Sequence, residues 1–268
     1  MKGCLYYSSA EAKRNNGFIE DLIRSANRLN MDLTVLVDEE QPAKDSNFIL
    51  FRDRHPLLSS KWEAEGFRLF NRSEVNRIAN DKYKTFELAA LLGVPAVPTK
   101  KVNSVQHLPS FPIVLKTRDG HGGHEVCLCQ SIEEAESFFA EHSGRQFISQ
   151  PYVESNSTDI RVFMIGNEIL GAVKRTGQDS FKSNYTLGGS VEKYSLSAEQ
   201  EKEVQTITKA LKSDYIGIDF LLLPDGRWLL NEVEDPVGAR SLYITHEVSP
   251  AWELMKYVKS KLEDEVIG

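Results

Sequence analysis

The sequence is short of the features that mark three classes of protein. No apolar run approaches the roughly 20 residues of a membrane-spanning helix, and residues 220–223 are typical of its apolar stretches. The 3 cysteines are an odd number without spaced pairs, which argues against a disulfide framework. Positive charge is not in excess, since 32 basic residues stand against 39 acidic ones, so nucleic-acid binding is not expected. The amino terminus turns polar too soon for a signal peptide, and we expect a cytoplasmic protein that enters no membrane.

What the sequence does contain favours a folded enzyme of about two domains. Its 268 residues are 41% hydrophobic and 26% charged, which supplies a sizeable core and argues against a disordered chain. The net charge of −7 is unevenly distributed, because residues 191–268 hold 9 basic and 15 acidic side chains. An acidic carboxy-terminal third suits a protein that concentrates cations there.

The first 80 residues have the pattern of a β-α-β unit. Short apolar strands are predicted at residues 3–7, 32–37 and 48–52, and apolar residues recur at helical spacing between Phe18 and Leu29. These elements predict a small parallel sheet. A further helical region at residues 73–92 ends at Gly93, and the first domain boundary is predicted near residue 80.

The remaining residues alternate strands, hairpins and helices. Two strands flank a glycine-rich loop, and Ser131 with Glu134 predicts a capping box at the start of the next helix. The other predicted strands lie at residues 147–153, 160–165, 168–174, 215–223 and 228–234, with helices after Ser197 and at residues 250–262. The order predicts a mixed α/β fold.

Acidic residues in the last predicted hairpin are the most specific chemical feature. Asp219 interrupts an apolar strand, and Glu232 and Glu234 alternate on the neighbouring strand and so share one face. Three carboxylates on a buried face are costly unless a cation neutralises them, and oxygen ligands favour Mg²⁺ or Mn²⁺ over zinc. The alternative is an exposed face of solvated acids.

A lysine followed by a glycine-rich loop is the second feature. Lys116 precedes Gly120, Gly122 and Gly123, and such a loop can approach a polyanion with its backbone N–H groups. The order of residues differs from a Walker A loop, and a plain flexible hairpin is the alternative. His121 and His124 lack the helical spacing of a zinc site, so zinc is not expected.

Cationic residues within strands and polar loops form the third feature. Arg161 interrupts an apolar strand, where a paired or ligand-facing role is expected, and Asp159 is its nearest candidate partner. The other members of the set are Lys82, Lys174, Arg175 and Lys182. A solvated strand end is the alternative for Lys174 and Arg175.

In chain order, these features resemble the ATP-grasp superfamily, and most closely its RimK-like carboxylate–amine ligases. The resemblance runs from about Asn80 to Lys259. The matching segments are residues 81–84 with 91–99, 111–116 with the glycine loop, 147–153, 159–161, 174–175, 181–184, 188–189, 217–219 and 231–234. No single motif is specific, and the joint order carries the resemblance.

The resemblance implies an ATP-grasp fold with a Rossmann-like domain at residues 1–80, one lobe at 81–153 and a second, metal-binding lobe at 154–268. It implies ATP and two Mg²⁺ or Mn²⁺ ions, the metals held by Asp219, Glu232 and Glu234. Arg161 and Arg175 are implied to act on the transferring phosphoryl group. The implied nucleotide-binding residues are Lys82, Lys116, Gly120, Gly122, Gly123, Gln150, Pro151, Tyr152, Val153, Asp159, Lys182, Ser183 and Asn184.

Two departures from the family pattern bear on the substrate. Glu234 stands where the family usually has asparagine, and residues 235–240 replace a small-residue-Pro-Gly segment. Pro151 also occupies a hinge position where an acid is common. Arg240 follows the metal strand and is expected to reach the substrate, the alternative being a surface salt bridge to Asp235 or Glu247.

The implied reaction is ATP-dependent amide bond formation through an acyl phosphate. The substrates would be a carboxylate and an amine, from small molecules, peptides or a carrier protein, without nucleic acid or membrane. The sequence identifies neither substrate, and a homo-oligomer stays open. The alternatives are a nucleotide-binding regulator without catalysis and a kinase of the same fold.

Overall fold

The computed structural model describes residues 1–123, 125–177 and 189–267. Its strands are β1 Lys2–Tyr7, β2 Asp32–Val37, β3 Phe48–Phe51, β4 Leu69–Phe70, β5 Lys100–Val102, β6 Ile113–Thr117, β7 Val126–Cys129, β8 Phe147–Pro151, β9 Thr158–Ile165, β10 Glu168–Thr176, β11 Ser190–Lys193, β12 Tyr215–Leu222 and β13 Trp228–Glu234. Its α-helices are α1 Ser9–Arg14, α2 Asn16–Arg28, α3 Pro56–Ala64, α4 Ser73–Ala79, α5 Lys82–Leu92, α6 Ile132–Glu141, α7 Ala198–Leu211, α8 Arg240–Thr245 and α9 Pro250–Ile267.

The amino-terminal sheet is parallel, as the β-α-β pattern predicts. Its strand order is β2-β1-β3-β4, and Leu5 on β1 lies opposite both Val35 and Leu50. Helix α2 covers the sheet with Ile19, Leu22 and the other apolar residues of its buried face. Parallel strands of this kind align their carboxyl ends at one edge, where loops can form a ligand site.

The second sheet is antiparallel, with the order β5-β8-β6-β7. Strands β6 and β7 form the predicted hairpin around the glycine loop. Helix α6 follows, and the hydroxyl of Ser131 accepts a hydrogen bond from the N–H of Glu134 at 3.4 Å. The Glu134 carboxylate accepts from the N–H of Gln130 at 2.8 Å, so the reciprocal bond of the predicted capping box falls one residue earlier.

The third sheet positions most of the charged residues of interest. Its strand order is β11-β10-β9-β12-β13, with β9 at the centre. The register places Asp219 on β12 opposite Arg161 on β9 and opposite Glu232 on β13. Helix α7 starts with the predicted capping box, in which Ser197 and Gln200 exchange both hydrogen bonds.

Several predicted boundaries differ from the structure. The helical region at residues 73–92 is two helices, α4 and α5, because the side chain of Asp81 accepts hydrogen bonds from Tyr83 and Lys84 and starts a new helix. Strand β8 ends at Pro151, and α9 extends to Ile267. The short strands β4, β5 and β11 and the helices α3 and α8 were not expected from the pattern.

The largest core cluster joins the two ends of the chain. Leu5 and Leu22 of the amino-terminal unit pack in one cluster with Phe163, Val237 and Leu254 from the carboxy-terminal half. Helix α9 therefore lies against the amino-terminal unit, although the predicted boundaries near residues 80 and 153 stay predictions. Within the described residues, no helix is long and apolar enough to cross a membrane.

Candidate active site

Three carboxylates converge at the β12–β13 hairpin. Asp219, Glu232 and Glu234 each have an oxygen within 4.8 Å of the others, and Asp219 is only 1% exposed. This burial argues against an exposed face of solvated acids. A donor set made only of carboxylate oxygens fits a hard divalent cation such as Mg²⁺ or Mn²⁺.

Two arginines neutralise this carboxylate cluster. Arg161 donates two hydrogen bonds to Asp219, at 2.7 and 2.6 Å, and its Nη2 lies 2.7 Å from Glu234. Arg175 donates two bonds to Asp159, at 2.6 and 2.7 Å, and one to Asp219 at 2.8 Å. The candidate partner of Arg161, Asp159, therefore pairs with Arg175 instead, because the register of β9 and β10 places those two residues opposite each other.

The hydrogen-bonded network contains three acids, Asp159, Asp219 and Glu234, and the two arginines, all in or near the protein interior. Burial opposes ionisation of Asp219, but Arg161 and Arg175 outweigh that effect and lower its pKa to about 2. Burial raises the pKa of Glu234, and the neighbouring Asp219 adds to this while Arg161 opposes it. Without a bound cation, Glu234 is therefore the less readily ionised of these two carboxyl groups.

Two lysines lie beside the carboxylates, on the side of the second sheet. Lys116 is 8% exposed, and its ammonium group donates to Asn231 Oδ1 at 2.9 Å. Burial lowers the pKa of Lys116 to about 8, with Glu232 opposing the shift and Lys82 adding to it. Lys82 donates to the carbonyl of Gly120 and lies 3.6 Å from Glu232. A buried, poorly paired ammonium group is a site that an anion would stabilise.

A cleft between the second and third sheets brings most of the predicted nucleotide residues together. Gly122 and Gly123 cover it with φ angles of +68° and +75°, in the left-handed region that favours glycine. The cleft is lined by Lys82, Lys116, Gly120, Gly122, Gly123, Gln150, Pro151, Tyr152, Val153, Asp159, Glu232 and Glu234, together with other residues. Lys182, Ser183 and Asn184 lie outside the described residues.

A second cavity of about 370 Å³ adjoins the cleft and contains six arginines. We call it the arginine cavity. Its arginines are Arg14, Arg52, Arg54, Arg161, Arg175 and Arg240, and its acids are Glu11 and Glu234. His121, Gly122 and Glu234 line both the cleft and the arginine cavity. The two spaces therefore meet beside the carboxylate cluster.

Arg240, the predicted substrate-binding residue, lines this cavity. Its Nη2 donates to the carbonyl of Arg14 at 3.0 Å. In the described part of the chain, no ion pair joins Arg240 to Asp235 or Glu247, the partners of the surface alternative. The Asp235 carboxylate instead accepts hydrogen bonds from Asn71 at 2.9 Å and Asn76 at 3.0 Å.

Sequence reasoning missed the amino-terminal wall of the arginine cavity. Tyr7 ends β1, and Arg52 and Arg54 follow the end of β3. Ligands of open α/β sheets bind beyond the carboxyl ends of the strands, so these positions carried a usable signal. The pairing of this wall with Arg240, almost 190 residues further along the chain, had no local signal.

Comparison with known proteins assigns the family. The model of the RimK-like ATP-grasp domain matches residues 79–258. The chain belongs to the RimK-like ATP-grasp family. It is thus a member of a family of ATP-dependent carboxylate–amine ligases, for which the use of ATP and a divalent metal is general.

Relatives and solved structures agree with this assignment. An uncharacterised protein of Mycoplasma pneumoniae is 27% identical over 90% of this chain and 86% of its own length. A probable alpha-L-glutamate ligase of Haemophilus influenzae is 29% identical over 74% of this chain and 68% of its own. A RimK domain ATP-grasp protein from Sphaerobacter thermophilus has a TM-score of 0.78 at 17% identity, covering 96% of this chain and 99% of that one. The last similarity supports the mixed α/β, ATP-grasp fold.

Proposed function

We propose that this RimK-like protein joins a carboxylate to an amine by way of an acyl phosphate, at the expense of ATP. The supporting observation is the junction of the nucleotide cleft and the arginine cavity at His121, Gly122 and Glu234. An acid bound in the arginine cavity would present its carboxylate to the terminal phosphoryl group of ATP bound in the cleft. Such positioning is the main requirement of phosphoryl transfer.

In this proposal the cleft binds ATP along its whole length. Lys116 and Lys82 bind the phosphates, and the glycine loop covers them with backbone N–H groups. The carbonyl of Pro151 and the N–H of Val153 bind adenine, and Asp159 faces the ribose. Lys182, Ser183 and Asn184, which the resemblance implies to bind nucleotide, complete the binding site in this proposal.

Two divalent cations are proposed at the carboxylate cluster. Asp219 and Glu232 hold one ion, and Glu234 holds the second. The ions would supply charge neutralisation for the β- and γ-phosphates. The extra charge of Glu234, compared with the usual asparagine, favours tighter binding or Mn²⁺.

Arg161 and Arg175 are proposed to stabilise the transferring phosphoryl group. Both line the arginine cavity and are fixed by Asp219, so their guanidinium groups are held in position before substrate binds. The planar guanidinium fork suits bidentate contact with carboxylate or phosphate oxygens. No protein nucleophile is required, since the substrate carboxylate attacks phosphorus and the amine later displaces phosphate.

We further propose that one substrate carries an additional negative charge. Six arginines face only two acids in the arginine cavity, and Arg161 and Arg175 are already shared with the carboxylate cluster. An acidic amino acid fits this excess of positive charge. The name of the Haemophilus influenzae relative makes L-glutamate the first compound to test.

The test is a substrate screen in which ADP, free phosphate and product are all measured. Pairs of acids and amines, with L-glutamate in either role, are added to protein, ATP and Mg²⁺. A ligase releases phosphate only when both substrates are present, and hydroxylamine in place of the amine should trap the acyl phosphate as a hydroxamate. Phosphate release with neither trapping nor coupled product would contradict the proposal.

The same screen separates the alternatives. A kinase of this fold would release ADP together with a stable phosphorylated product and no free phosphate. A regulator would bind ATP with Mg²⁺ in a calorimeter and release no ADP with any pair.

A further inference from the structure

Three asparagines of the amino-terminal unit donate hydrogen bonds to Asp235, the residue that follows strand β13 and its carboxylate Glu234. Asn71 and Asn76 donate to the two carboxylate oxygens of Asp235, and Asn80 donates to its backbone carbonyl at 2.8 Å. We call these four residues the asparagine clamp. Asp235 is 2% exposed, so its carboxyl group lies in the interior and is hydrogen-bonded by side-chain amides. Asp235 also belongs to the segment that departs from the family pattern.

The clamp completes the end of the β12–β13 ladder. Gly217 pairs with Glu234, so the antiparallel register continued by two residues places Tyr215 opposite Pro236. Proline has no N–H to donate to the Tyr215 carbonyl. Asn71 donates to that carbonyl at 2.7 Å and accepts from the N–H of Tyr215 at 3.0 Å. One side chain thus stabilises both strands that carry the metal-site carboxylates.

A second contact from the amino-terminal unit holds the same segment. Arg52 is 4% exposed and donates to the carbonyl of Val237 at 2.6 Å. Residues 235–239 connect Glu234, in the carboxylate cluster, to Arg240, which lines the arginine cavity. The amino-terminal unit lines the same cavity through Arg14, whose carbonyl accepts the hydrogen bond from Arg240, and through other residues. The contacts to residues 235 and 237 therefore help to fix these two parts of the cavity lining relative to each other.

We infer that Asp235 is a positioning residue, which acts through the asparagine clamp to set the place of the Glu234 carboxylate and the width of the arginine cavity. The inference rests on the proposed function, because it assigns the clamp a role in metal and acid binding. Asp235 itself lines neither the cleft nor the arginine cavity. Its effect is transmitted by the backbone of the next residue on each side.

The primary test compares Asp235→Asn with Asp214→Asn. Asp214 is a matched control: it is a buried aspartate, 4% exposed, just before β12, and its carboxylate accepts from Tyr257 at 2.9 Å instead of from the clamp. Asp235→Asn keeps the shape but replaces an acceptor with a donor that opposes Asn71 or Asn76. Mn²⁺ binding, measured by titration in the presence of ADP, should weaken about tenfold for Asp235→Asn, as for other residues that orient metal ligands.

The control and a second variant make the outcome decisive. Asp214→Asn should change the melting temperature but leave the Mn²⁺ dissociation constant within about twofold of wild type, since the substitution leaves the backbone bond of residue 214 to Asn71 in place and alters only a carboxylate bound to Tyr257. If Asp235→Asn fails to fold, Asn80→Leu leaves the Asp235 carboxylate bonds in place and removes the bond to the Asp235 carbonyl, together with one to the Asn76 carbonyl at 2.9 Å. It should weaken Mn²⁺ binding in the same direction. ADP binding in EDTA should stay unchanged in every folded variant.

Failure of the inference can be distinguished from failure of the proposed function. Equal Mn²⁺ binding by wild type and Asp235→Asn, or equal weakening by Asp235→Asn and Asp214→Asn, overturns the clamp alone. A wild-type protein that binds no Mn²⁺ refutes the metal site and the clamp together. With a substrate pair identified, Asp235→Asn should raise the KM of the acid while the KM of ATP stays constant.

Discussion

Replacing Asp219 with asparagine tests the carboxylate–arginine network directly. The wild-type side chain accepts three hydrogen bonds from Arg161 and Arg175, at 2.7, 2.6 and 2.8 Å. The amide keeps one acceptor oxygen, whereas its NH₂ group faces guanidinium donors. No arginine is left without a carboxylate, because Asp159 still binds Arg175 and Glu234 still binds Arg161.

The expected loss of stability follows from this count. Hydrogen bonds to charged groups contribute about 1.5–3 kcal/mol each. An amide oxygen in the place of Oδ2 keeps two of the three bonds, so the loss of one bond predicts a net loss of about 1.5–3 kcal/mol. In a chain of this size, 1 kcal/mol corresponds to about 2–4 °C in melting temperature. Asp219→Ala, which removes every acceptor, should cost about 3–5 kcal/mol.

The pH dependence provides an independent check. The pKa of Asp219 is lowered to about 2 in the folded protein, from an ordinary value of 3.8. Its stabilising contribution is therefore complete above about pH 4 and is lost as the pH falls through about 2. Asp219→Asn removes this carboxyl group, so its stability should fall less steeply than that of the wild type over that interval.

The assay combines thermal denaturation without metal, at pH 7 and pH 3, with phosphate release at pH 7. Asp219→Asn should melt lower than wild type at pH 7 and lose most of its activity, because the arginines and the metal site both depend on this carboxylate. A variant that keeps the wild-type melting temperature and full turnover would refute the role of Asp219 in the network and in the site.

Four further outcomes are expected. Lys116→Met should weaken ATP binding and abolish turnover. Wild-type ATP affinity should also fall above about pH 8, because the Lys116 pKa is about 8 and the neutral amine must take up a proton to bind the phosphates. Glu234→Asn should retain activity but bind Mn²⁺ less tightly than wild type, as a metal titration would show. Arg240→Lys should raise the KM of the acid, and an unchanged acid KM would remove Arg240 from the site. Arg161→Lys should instead lower kcat, because the contact of Arg161 strengthens as charge develops during phosphoryl transfer. Hydrogen exchange at residues 120–123 should slow when ATP and Mg²⁺ are added, and equal protection with and without ligand would contradict a covering role for this loop.

Much of the secondary structure could be predicted from the sequence, because short-range patterns determine it. The apolar spacing of α2, the alternation of β13 and the capping box of Ser197 and Gln200 are all contained within a few residues. The division into α4 and α5 was missed, although Asp81 carries a helix-start signal, since both helices share a continuous apolar pattern.

The ordered motifs also determined the family by themselves. Lys116, the glycine loop and the acids of the last hairpin occur in an order that one family shares, and the family match at residues 79–258 confirmed that interpretation. The cleft that gathers Lys82, Lys116 and Val153 is the spatial counterpart of this order. The roles assigned to those residues stay predictions.

Only the tertiary structure decided which charges meet. The sequence suggested Asp159 as the partner of Arg161. In the structure, the strand register pairs Asp159 with Arg175, and Arg161 binds Asp219, which is 58 residues away along the chain. The arginine cavity and the asparagine clamp join residues still further apart along the chain. Such pairings depend on how sheets and helices pack. The hydrophobic burial that drives this packing is non-directional, so the sequence around the charged residues contains no local pattern that predicts their partners.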